Sequence, residues 1–212
     1  MIEAKLYFRY GVMGAGKTRD LQKNYYSYKE DGKEVIIMKP KLDDKGDDRI
    51  IARDNQSNKV DFLVDKNDNI YLTIANFIIE HNLDYILVDE AQFLTPKQIE
   101  ELSDVVDYLE IPVICYGIRT DFLNQLFPGG EKLFAIADIR EEINKTCSCG
   151  RPSICNIRFT KEWVPVFEGK QVEIDGKDFN YKSMCRKCAK TLRKAQPKKI
   201  GIITIAKDYE KI

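Results

Sequence analysis

The sequence predicts an α/β protein in which a parallel sheet is flanked by helices and followed by a small cysteine-rich segment. Three observations support this class of fold. An apolar run ends at Gly11 and leads into a glycine-rich stretch, a second apolar run ends at Asp89, and five cysteines cluster after residue 144. Apolar runs that alternate with helical patterns indicate strands connected by helices, which is the order that produces a parallel sheet.

The first informative stretch begins at Leu6 and ends at Thr18. Its second part, GVMGAGKT from Gly11, matches the phosphate-loop pattern G-x-x-x-x-G-K-[ST]. Glycines let the backbone turn tightly and direct its N–H groups at phosphate oxygens, which then lie at the positive end of the following helix. We expect that helix from Asp20 to Tyr28, because its apolar residues have helical spacing. An ordinary glycine turn is the alternative.

The pattern also predicts an ATP site. In a phosphate loop, the lysine contacts the β- and γ-phosphates, and the hydroxyl of the next residue binds the Mg²⁺ that bridges them. We therefore expect Lys17 to hold the phosphates and Thr18 to bind Mg²⁺. The predicted ATP-binding residues of the loop are Gly11, Val12, Met13, Gly14, Ala15, Gly16, Lys17 and Thr18.

A second informative stretch, DYILVDEAQF, runs from Asp84 to Phe93. A short apolar run that ends in a carboxylate is typical of a Walker B strand, and the carboxyl ends of parallel strands face the ligand crevice. We expect Asp89 to bind Mg²⁺ and Glu90 to act as the general base, because a carboxylate saturated by a cation cannot also accept a proton. An apolar run followed by two acids is weak evidence alone, and the upstream loop strengthens it.

The remaining patterns complete the sheet and its helices. Strands are expected over residues 34–38, 60–64, 111–116 and 133–138, and helices over residues 70–79 and onward from an N-cap at Thr95. The polar stretch from Lys39 to Asn58 is either a solvated loop or a mobile flap over the phosphates.

Two cysteine pairs about 36 residues apart indicate a metal site. Cys147 and Cys149 form the first pair, and Cys185 and Cys188 form the second. Four thiolates bind one Zn²⁺ tetrahedrally and leave no position for a catalytic water, so the ion is expected to be structural. The first pair is one residue shorter than the usual C-x-x-C, and Cys155 is an alternative ligand. Metal binding would supply folding free energy to a segment with few apolar residues.

The change of character near Asn144 divides the chain into an α/β domain over residues 1–143, a zinc-binding domain over residues 144–190 and a tail over residues 191–212. The chain has 34 Lys and Arg residues against 34 Asp and Glu residues, so binding to nucleic acid is not expected. Its start lacks the shape of a signal peptide, and no apolar run approaches the roughly 20 residues that cross a bilayer. We therefore expect a cytoplasmic protein without a membrane partner.

Over about residues 6–188, the sequence resembles the type II thymidine kinases. The most specific motifs are VDEAQF from Val88, CYGIRTDF from Cys115, CSCG from Cys147 and YKSMCR from Tyr181. The resemblance implies that Glu90 is the catalytic base. It assigns Lys17, Thr18, Asp89 and Gln92 to the site for ATP and Mg²⁺, and it implies a thymidine pocket lined by Met13, Phe93, Phe122 and Tyr181.

The same resemblance implies a lasso, roughly residues 167–181, that closes over the base mainly through backbone hydrogen bonds and is held at its ends by zinc. The sequence departs from the family at Asp43-Asp44-Lys45, where an arginine is usual, and at residues 174–181, where the segment is longer. A lysine does not replace the bidentate fork of a guanidinium. Because the family is commonly tetrameric and inhibited by its end product dTTP, we expect a homotetramer and this feedback.

Together these features predict an ATP:thymidine 5′-phosphotransferase that uses Mg²⁺ with ATP and a structural Zn²⁺. Two alternatives belong to other classes of protein. A P-loop ATPase or switch would use Glu90 to activate water and a zinc ribbon to dock a protein partner. A non-catalytic zinc-ribbon module would retain only a vestigial loop. Nucleoside-stimulated release of ADP separates the kinase from the ATPase.

Overall fold

The computed structural model describes residues 3–41, 49–51, 57–171 and 179–195. The predicted flap residues Asp43 to Lys45, the lasso residues 172–178 and the tail beyond residue 195 lie outside the described residues. The strands are β1 (Leu6–Gly11), β2 (Val35–Pro40), β3 (Arg49–Ile51), β4 (Ser57–Lys59), β5 (Phe62–Val64), β6 (Tyr85–Val88), β7 (Val113–Ile118), β8 (Ile139–Glu142), β9 (Cys155–Thr160), β10 (Pro165–Val166) and β11 (Phe179–Met184). The α-helices are α1 (Lys17–Glu30), α2 (Ile70–Glu80), α3 (Pro96–Leu109), α4 (Pro128–Ile136) and α5 (Arg186–Ala195).

Six strands form one sheet in the order β5-β2-β6-β7-β1-β8, and every neighbouring pair in it is parallel. This arrangement confirms the predicted parallel α/β sheet. The carboxyl ends of β6, β7 and β1 are neighbours. Because adjacent strands are about 4.8 Å apart, the segments that follow β6 and β1 begin roughly 10 Å from each other.

Both faces of this sheet are covered. Along β2, Ile36 and Met38 pack on the face that carries α2, α3 and α4, whereas Val35 and Ile37 pack on the face that carries α1. Strands β6 and β7 alternate between the two faces in the same way. Near-continuous apolar runs are what a parallel sheet buried on both sides requires, and this is why its central strands could be predicted.

The prediction of a last strand over residues 133–138 is wrong. These residues belong largely to α4, and the last strand of the sheet, β8, begins at Ile139. Leu133 and Ala137 are both buried and four residues apart, which is the spacing of one helical face. The edge strand β8 was missed because its sequence, IREE, has no apolar run.

The polar stretch between β2 and β5 is more than a solvated loop. β3 and β4 pair in an antiparallel ribbon. Ile50 is buried and packs with Leu21 and Tyr116 on the α1 face, and the Asn58 amide donates a hydrogen bond to the Tyr26 hydroxyl at 3.0 Å. These contacts of Ile50 and Asn58 anchor the ribbon to α1 and to the sheet.

Residues 144–195, which we call the cysteine region, have a different construction from residues 3–143, the sheet region. A three-stranded antiparallel sheet in the order β10-β9-β11 lies beside α5. Cys155, Ile157 and Phe159 on β9 point into a small core that also contains Met184 and Ala189. The residues between them on β9 point the other way, toward the sheet region.

Candidate active site

The phosphate loop connects the carboxyl end of β1 to α1. The Ala15 amide donates to the Val12 carbonyl at 3.2 Å, which closes the loop. Lys17 is buried, and its Nζ donates to the same carbonyl at 3.2 Å. Because α1 begins at Lys17, the N–H groups of its first turn, which includes Thr18, lie at the end of the helix that faces the loop. The predicted loop residues are thus brought together at one anion-binding helix end.

Three glycines of the loop are structurally required. Gly14 has φ 70° and Gly16 has φ 94°, which lie in the left-handed region that favours glycine. A Cβ atom on Gly11 would lie 2.6 Å from the Ile143 carbonyl oxygen, a distance that real Cβ contacts do not show. The close approach of the β8 end to the loop is therefore possible only with glycine at this position.

Asp89 follows β6 directly and is buried. Burial and the neighbouring charge of Glu90 raise its pKa to about 7, although the Glu90 amide and the charges of Lys17 and Lys39 act in the opposite direction. Lys17 therefore lies near enough to Asp89 for its charge to favour the ionised carboxylate. A carboxylate is a hard oxygen ligand, so Asp89 and the Thr18 hydroxyl are chemically suited to Mg²⁺.

Glu90 has an unusual backbone conformation and a fixed side chain. Its φ of 51° and ψ of 35° place it in the left-handed region, which few non-glycine residues adopt and which is enriched at functional sites. The Gln92 Nε2 donates to the Glu90 carboxylate at 2.6 Å, and the Gln92 Oε1 accepts from the Ile118 amide at 3.0 Å. Gln92, predicted to bind ATP, thus connects Glu90 to the end of β7 in this structure.

The four predicted zinc ligands come together. The Sγ atoms of Cys147, Cys149, Cys185 and Cys188 all lie within 4.8 Å of one another. A tetrahedral Zn²⁺ with bonds of about 2.3 Å holds its sulfur atoms about 3.8 Å apart, so the cluster has the size of such a site. The alternative ligand, Cys155, lies on β9 and is not part of the cluster.

The cluster also has the chemistry of a thiolate site. Burial opposes ionisation of Cys147, but hydrogen bonds from the backbone N–H groups of Cys149 and Cys185 outweigh it and lower the Cys147 pKa to about 6. Hydrogen bonds with the Cys149 and Cys185 thiols raise the pKa of Cys188. Sulfur atoms this close share protons, and a divalent cation would replace them. The four residues therefore fit a closed structural zinc site.

Arg158 joins two residues of the predicted thymidine pocket. Its guanidinium carbon lies 3.7 Å from the centroid of the Phe122 ring, and its Nε donates to the Tyr181 hydroxyl at 2.9 Å. Phe93 lies in a short 3₁₀ turn after Glu90 and packs edge-on against Phe127. Phe122 and Tyr181 are thus in one cluster, and Phe93 lies on the segment that carries the acid pair.

Asn156 and Arg158 contact the site but were not predicted from the sequence. Both lie on β9 and are only 1% exposed. Asn156 accepts a hydrogen bond from the Met13 amide at 2.8 Å, and the Arg158 Nη2 donates to the Lys170 carbonyl at 3.1 Å, within the first part of the lasso. The available signal was the alternation of polar and apolar residues along β9, which predicts a strand with one polar face but does not predict that this face is buried.

The parallel sheet, the phosphate loop with its buried lysine and the acid pair beside it define a P-loop nucleotide-binding protein with an added four-cysteine metal site. The family model described as thymidine kinase matches residues 4–189. The thymidine kinase of Coxiella burnetii is 41% identical over 87% of this chain and 94% of its own, and that of Pasteurella multocida is 41% identical over 86% and 95%. The thymidine kinase of Rhodopirellula baltica is 40% identical over 86% of both chains. The chain belongs to the thymidine kinase family.

Among solved structures, Bacteroides Pif1 bound to ssDNA aligns with 65% of this chain and 34% of its own, with 14% identity and a TM-score of 0.33. The helices within the described ranges include none with the length and apolar character that a bilayer crossing would take.

Proposed function

We propose that this member of the thymidine kinase family transfers the γ-phosphate of ATP to the 5′-hydroxyl of thymidine. The observation that carries the proposal is the position of the acid pair: Asp89 and Glu90 follow β6, and the phosphate loop follows β1, at the same end of one parallel sheet. A phosphate cradle and a carboxylate base within one crevice are the two parts that phosphoryl transfer to an alcohol needs.

Glu90 is proposed as the general base. It accepts or orients the proton of the 5′-hydroxyl while that oxygen attacks the γ-phosphorus. The hydrogen bond from Gln92 keeps one carboxylate oxygen in place, which leaves the other to face the acceptor. The left-handed backbone at Glu90 turns its side chain out of the strand direction that Asp89 follows, so the two acids are available for different tasks.

The phosphates of ATP are proposed to lie in the loop from Gly11 to Thr18, with Lys17 neutralising charge on the transferring group. Residues Gly11, Val12, Met13, Gly14, Ala15 and Gly16 supply the cradle. Gln92, which is bonded to Glu90, is proposed as a further residue of the ATP site. When bound, Mg²⁺ would offset the negative charge of the phosphates. Thr18 and Asp89 are the residues that would hold this ion.

Thymidine is proposed to bind among Met13, Phe93, Phe122 and Tyr181. The stacking of Arg158 on Phe122 and its hydrogen bond to Tyr181 support this assignment, because they fix two aromatic walls relative to each other. Residues 170 and 171 at the start of the lasso are held from the same side, where Arg158 donates to the Lys170 carbonyl and the Gln171 side-chain Nε2 donates to the Leu126 carbonyl at 2.9 Å.

The bound Zn²⁺ is proposed to be structural. The four thiolates of Cys147, Cys149, Cys185 and Cys188 complete its coordination, so it stands apart from phosphoryl transfer. We further propose that residues 1–143 and 144–190 act as separate domains followed by a tail at 191–212. A homotetramer, feedback inhibition by dTTP and a location in the cytoplasm, where free thiols persist, complete the proposal.

Replacing Glu90 with Gln tests the mechanism. We expect kcat to fall roughly 10²- to 10⁴-fold, because the amide cannot accept the hydroxyl proton, while the Kd of a non-hydrolysable ATP analogue stays within a factor of two. Glu110→Gln is the matched control, since Glu110 also has a left-handed backbone (φ 55°) but lies at the exposed end of α3. An unchanged kcat in Glu90→Gln would remove Glu90 as the base.

The substrate is tested by the release of ADP from Mg-ATP with and without nucleoside. The proposal requires that thymidine stimulates this release and is itself phosphorylated. Release at the same rate without nucleoside would favour the alternative of a P-loop ATPase or switch whose zinc ribbon docks a protein partner.

A further inference from the structure

Asn156 is a buried polar residue of β9 that joins three parts of the molecule. Its Oδ1 accepts a hydrogen bond from the Met13 amide at 2.8 Å, and its Nδ2 donates to the Thr120 carbonyl at 2.7 Å. Both distances are those of well-formed hydrogen bonds. The side chain is 1% exposed, so water does not compete for these contacts.

The two partners of Asn156 belong to the two sides of the proposed reaction. Met13 is part of the phosphate loop, and Thr120 leads into the turn that carries Phe122 of the proposed nucleoside pocket. That turn is itself held by Asp121, whose carboxylate accepts from the amides of Leu123 and Gln125, each at 2.8 Å. Asn156 therefore fixes the donor side of the crevice relative to the acceptor side.

The phosphate loop needs such support because its own backbone is permissive. Gly14 and Gly16 adopt conformations that are available to glycine but that glycine does not prefer over others. The cysteine region holds both backbone polar groups of Met13: Asn156 accepts from its amide, and the Lys145 Nζ donates to its carbonyl at 3.3 Å. Ordering the loop before ATP arrives reduces the entropic cost of binding.

Asn156 is also connected to the metal cluster. It is paired in register with Ser183 on β11, whose last residue, Met184, directly precedes the ligand Cys185. The strand that carries Asn156 is thus fixed by the segment that the four cysteines hold. This gives a continuous path of packed backbone from the cluster to the phosphate loop.

We propose that Asn156 is a positioning residue for nucleotide binding: it holds the phosphate loop in its ATP-binding conformation and fixes the Phe122 turn relative to it. The cysteine region then contributes to ATP affinity without contacting ATP. This inference rests on the proposed phosphoryl transfer from ATP. It adds the positioning of the phosphate loop to the roles proposed for the zinc ion and the lasso.

The test compares two near-isosteric substitutions on the same strand in the full-length, zinc-loaded protein. Asn156→Leu removes both hydrogen bonds. Thr160→Val removes bonds within the cysteine region, where the Thr160 hydroxyl accepts from the Val164 amide and is bonded to the Glu162 carboxylate. Calorimetric titration with Mg²⁺ and a non-hydrolysable ATP analogue should show a Kd about 10-fold higher in Asn156→Leu, because two buried backbone groups lose their partners. In Thr160→Val the Kd should stay within a factor of two.

Hydrogen–deuterium exchange gives a second readout at the loop itself. The amides of the phosphate-loop peptide should exchange about 10-fold faster in ligand-free Asn156→Leu than in the wild type, and they should be unchanged in Thr160→Val. If Asn156→Leu folds poorly, as judged by zinc content and melting temperature, Lys145→Met is the alternative variant. Its Kd should be 2- to 3-fold higher because the Met13 carbonyl loses the hydrogen bond from Lys145.

An unchanged Kd and unchanged exchange in Asn156→Leu would overturn the inference. An equal rise in the Kd of Thr160→Val would also overturn it, because it would indicate that any substitution on β9 loosens the cysteine region. Neither result bears on the proposed function, which is judged by whether the wild type phosphorylates thymidine. Conversely, a wild type that binds ATP but leaves thymidine unmodified would remove the proposed function while the comparison of Kd values still decides the role of Asn156.

Discussion

The sheet region and the cysteine region achieve order in different ways. In the sheet region, buried apolar residues form two cores, one on each face of a six-stranded sheet. In the cysteine region, the described residues form one small core of seven buried side chains, and three of these are cysteines. A core this small supplies little hydrophobic free energy, so polar contacts and the proposed zinc site would supply the remainder.

The difference extends to the contacts between the two regions. Asn156 and Arg158 lie on the face of β9 opposite to its apolar face, and they bond to the phosphate loop, to Thr120 and to the lasso base. Polar contacts are directional, so they fix a geometry that apolar packing would leave adjustable. The sheet region thus supplies stability through its apolar cores, whereas the cysteine region positions the groups around the crevice through polar contacts.

Removing zinc should produce the largest effect, because it should unfold the cysteine region while the sheet region stays folded. Structural zinc contributes about 10–16 kcal/mol to small zinc-dependent peptides, so chelation under reducing conditions should unfold the cysteine region. The sheet region should persist, because its cores contain no metal ligand. The single tryptophan, Trp163, lies in the cysteine region beside Phe159 and reports on that region alone.

The measurement is Trp163 fluorescence alongside far-ultraviolet circular dichroism during chelation. We expect a large change in emission, retention of most helical signal and loss of thymidine binding, all restored by added Zn²⁺. Persistence of thymidine affinity after complete zinc loss would contradict the division of roles between the regions.

Replacing Arg158 with Met should produce an intermediate effect that is confined to one substrate. The substitution removes the hydrogen bonds to the Tyr181 hydroxyl and the Lys170 carbonyl and the charge stacked on Phe122. Hydrogen bonds from a charged group are worth about 1.5–3 kcal/mol, so the KM for thymidine should rise roughly 10- to 100-fold. The Kd of an ATP analogue should change little, in contrast to Asn156→Leu.

Two further variants sharpen this result. Arg158→Lys keeps the charge but not the planar fork, so it should recover little of the lost affinity. Arg140→Met is the control, because the Arg140 guanidinium also donates to a backbone carbonyl, that of Phe134, but on the edge strand β8. Equal increases in the KM for thymidine and the KM for ATP would show that Arg158 supports the fold in general and not the nucleoside pocket.

The same contrast explains what could be predicted from the sequence. The strand before the phosphate loop, the strand before Asp89 and the four clustered cysteines were predicted, because each has a local pattern that its chemistry requires. The strand expected over residues 133–138 was wrong because a short apolar run fits a helix equally well, and spacing distinguishes the two only weakly. The edge strand β8 is polar, and the ribbon strands have only three residues each, so none of them has a pattern long enough to be recognised without the neighbouring sheet.

The supporting residues of the site were beyond the reach of pattern analysis. Asn156 meets Met13 across 143 positions of sequence, and Gln92 connects Glu90 to Ile118 only after the strands are paired. A sequence motif identifies groups that act on a ligand, whereas the groups that hold them in place depend on tertiary contacts. Asn156 and Arg158 of the cysteine region depend on such contacts and were missed, whereas its four clustered cysteines were predicted from their local pattern.

The smallest predicted effect lies in the sheet region. It tests whether the stability of this region is spread over many contacts. Thr95 forms a capping box at the start of α3: its hydroxyl accepts from the Gln98 amide at 3.2 Å, and its own amide donates to the Gln98 side chain at 3.1 Å. Thr95→Ala should lower the free energy of unfolding by about 1 kcal/mol, measured by urea denaturation. Thymidine and ATP affinities should be unchanged, because the buried face of α3 still holds the helix in place.

Ser103→Ala on the same helix is the control, since Ser103 is away from the helix ends and its substitution should change stability by less than about 0.5 kcal/mol. A weakening of nucleotide binding by Thr95→Ala would mean that local fraying of α3 reaches the crevice. The sheet region would then position the site as well as stabilise the protein. The two regions would differ only in the proposed metal site.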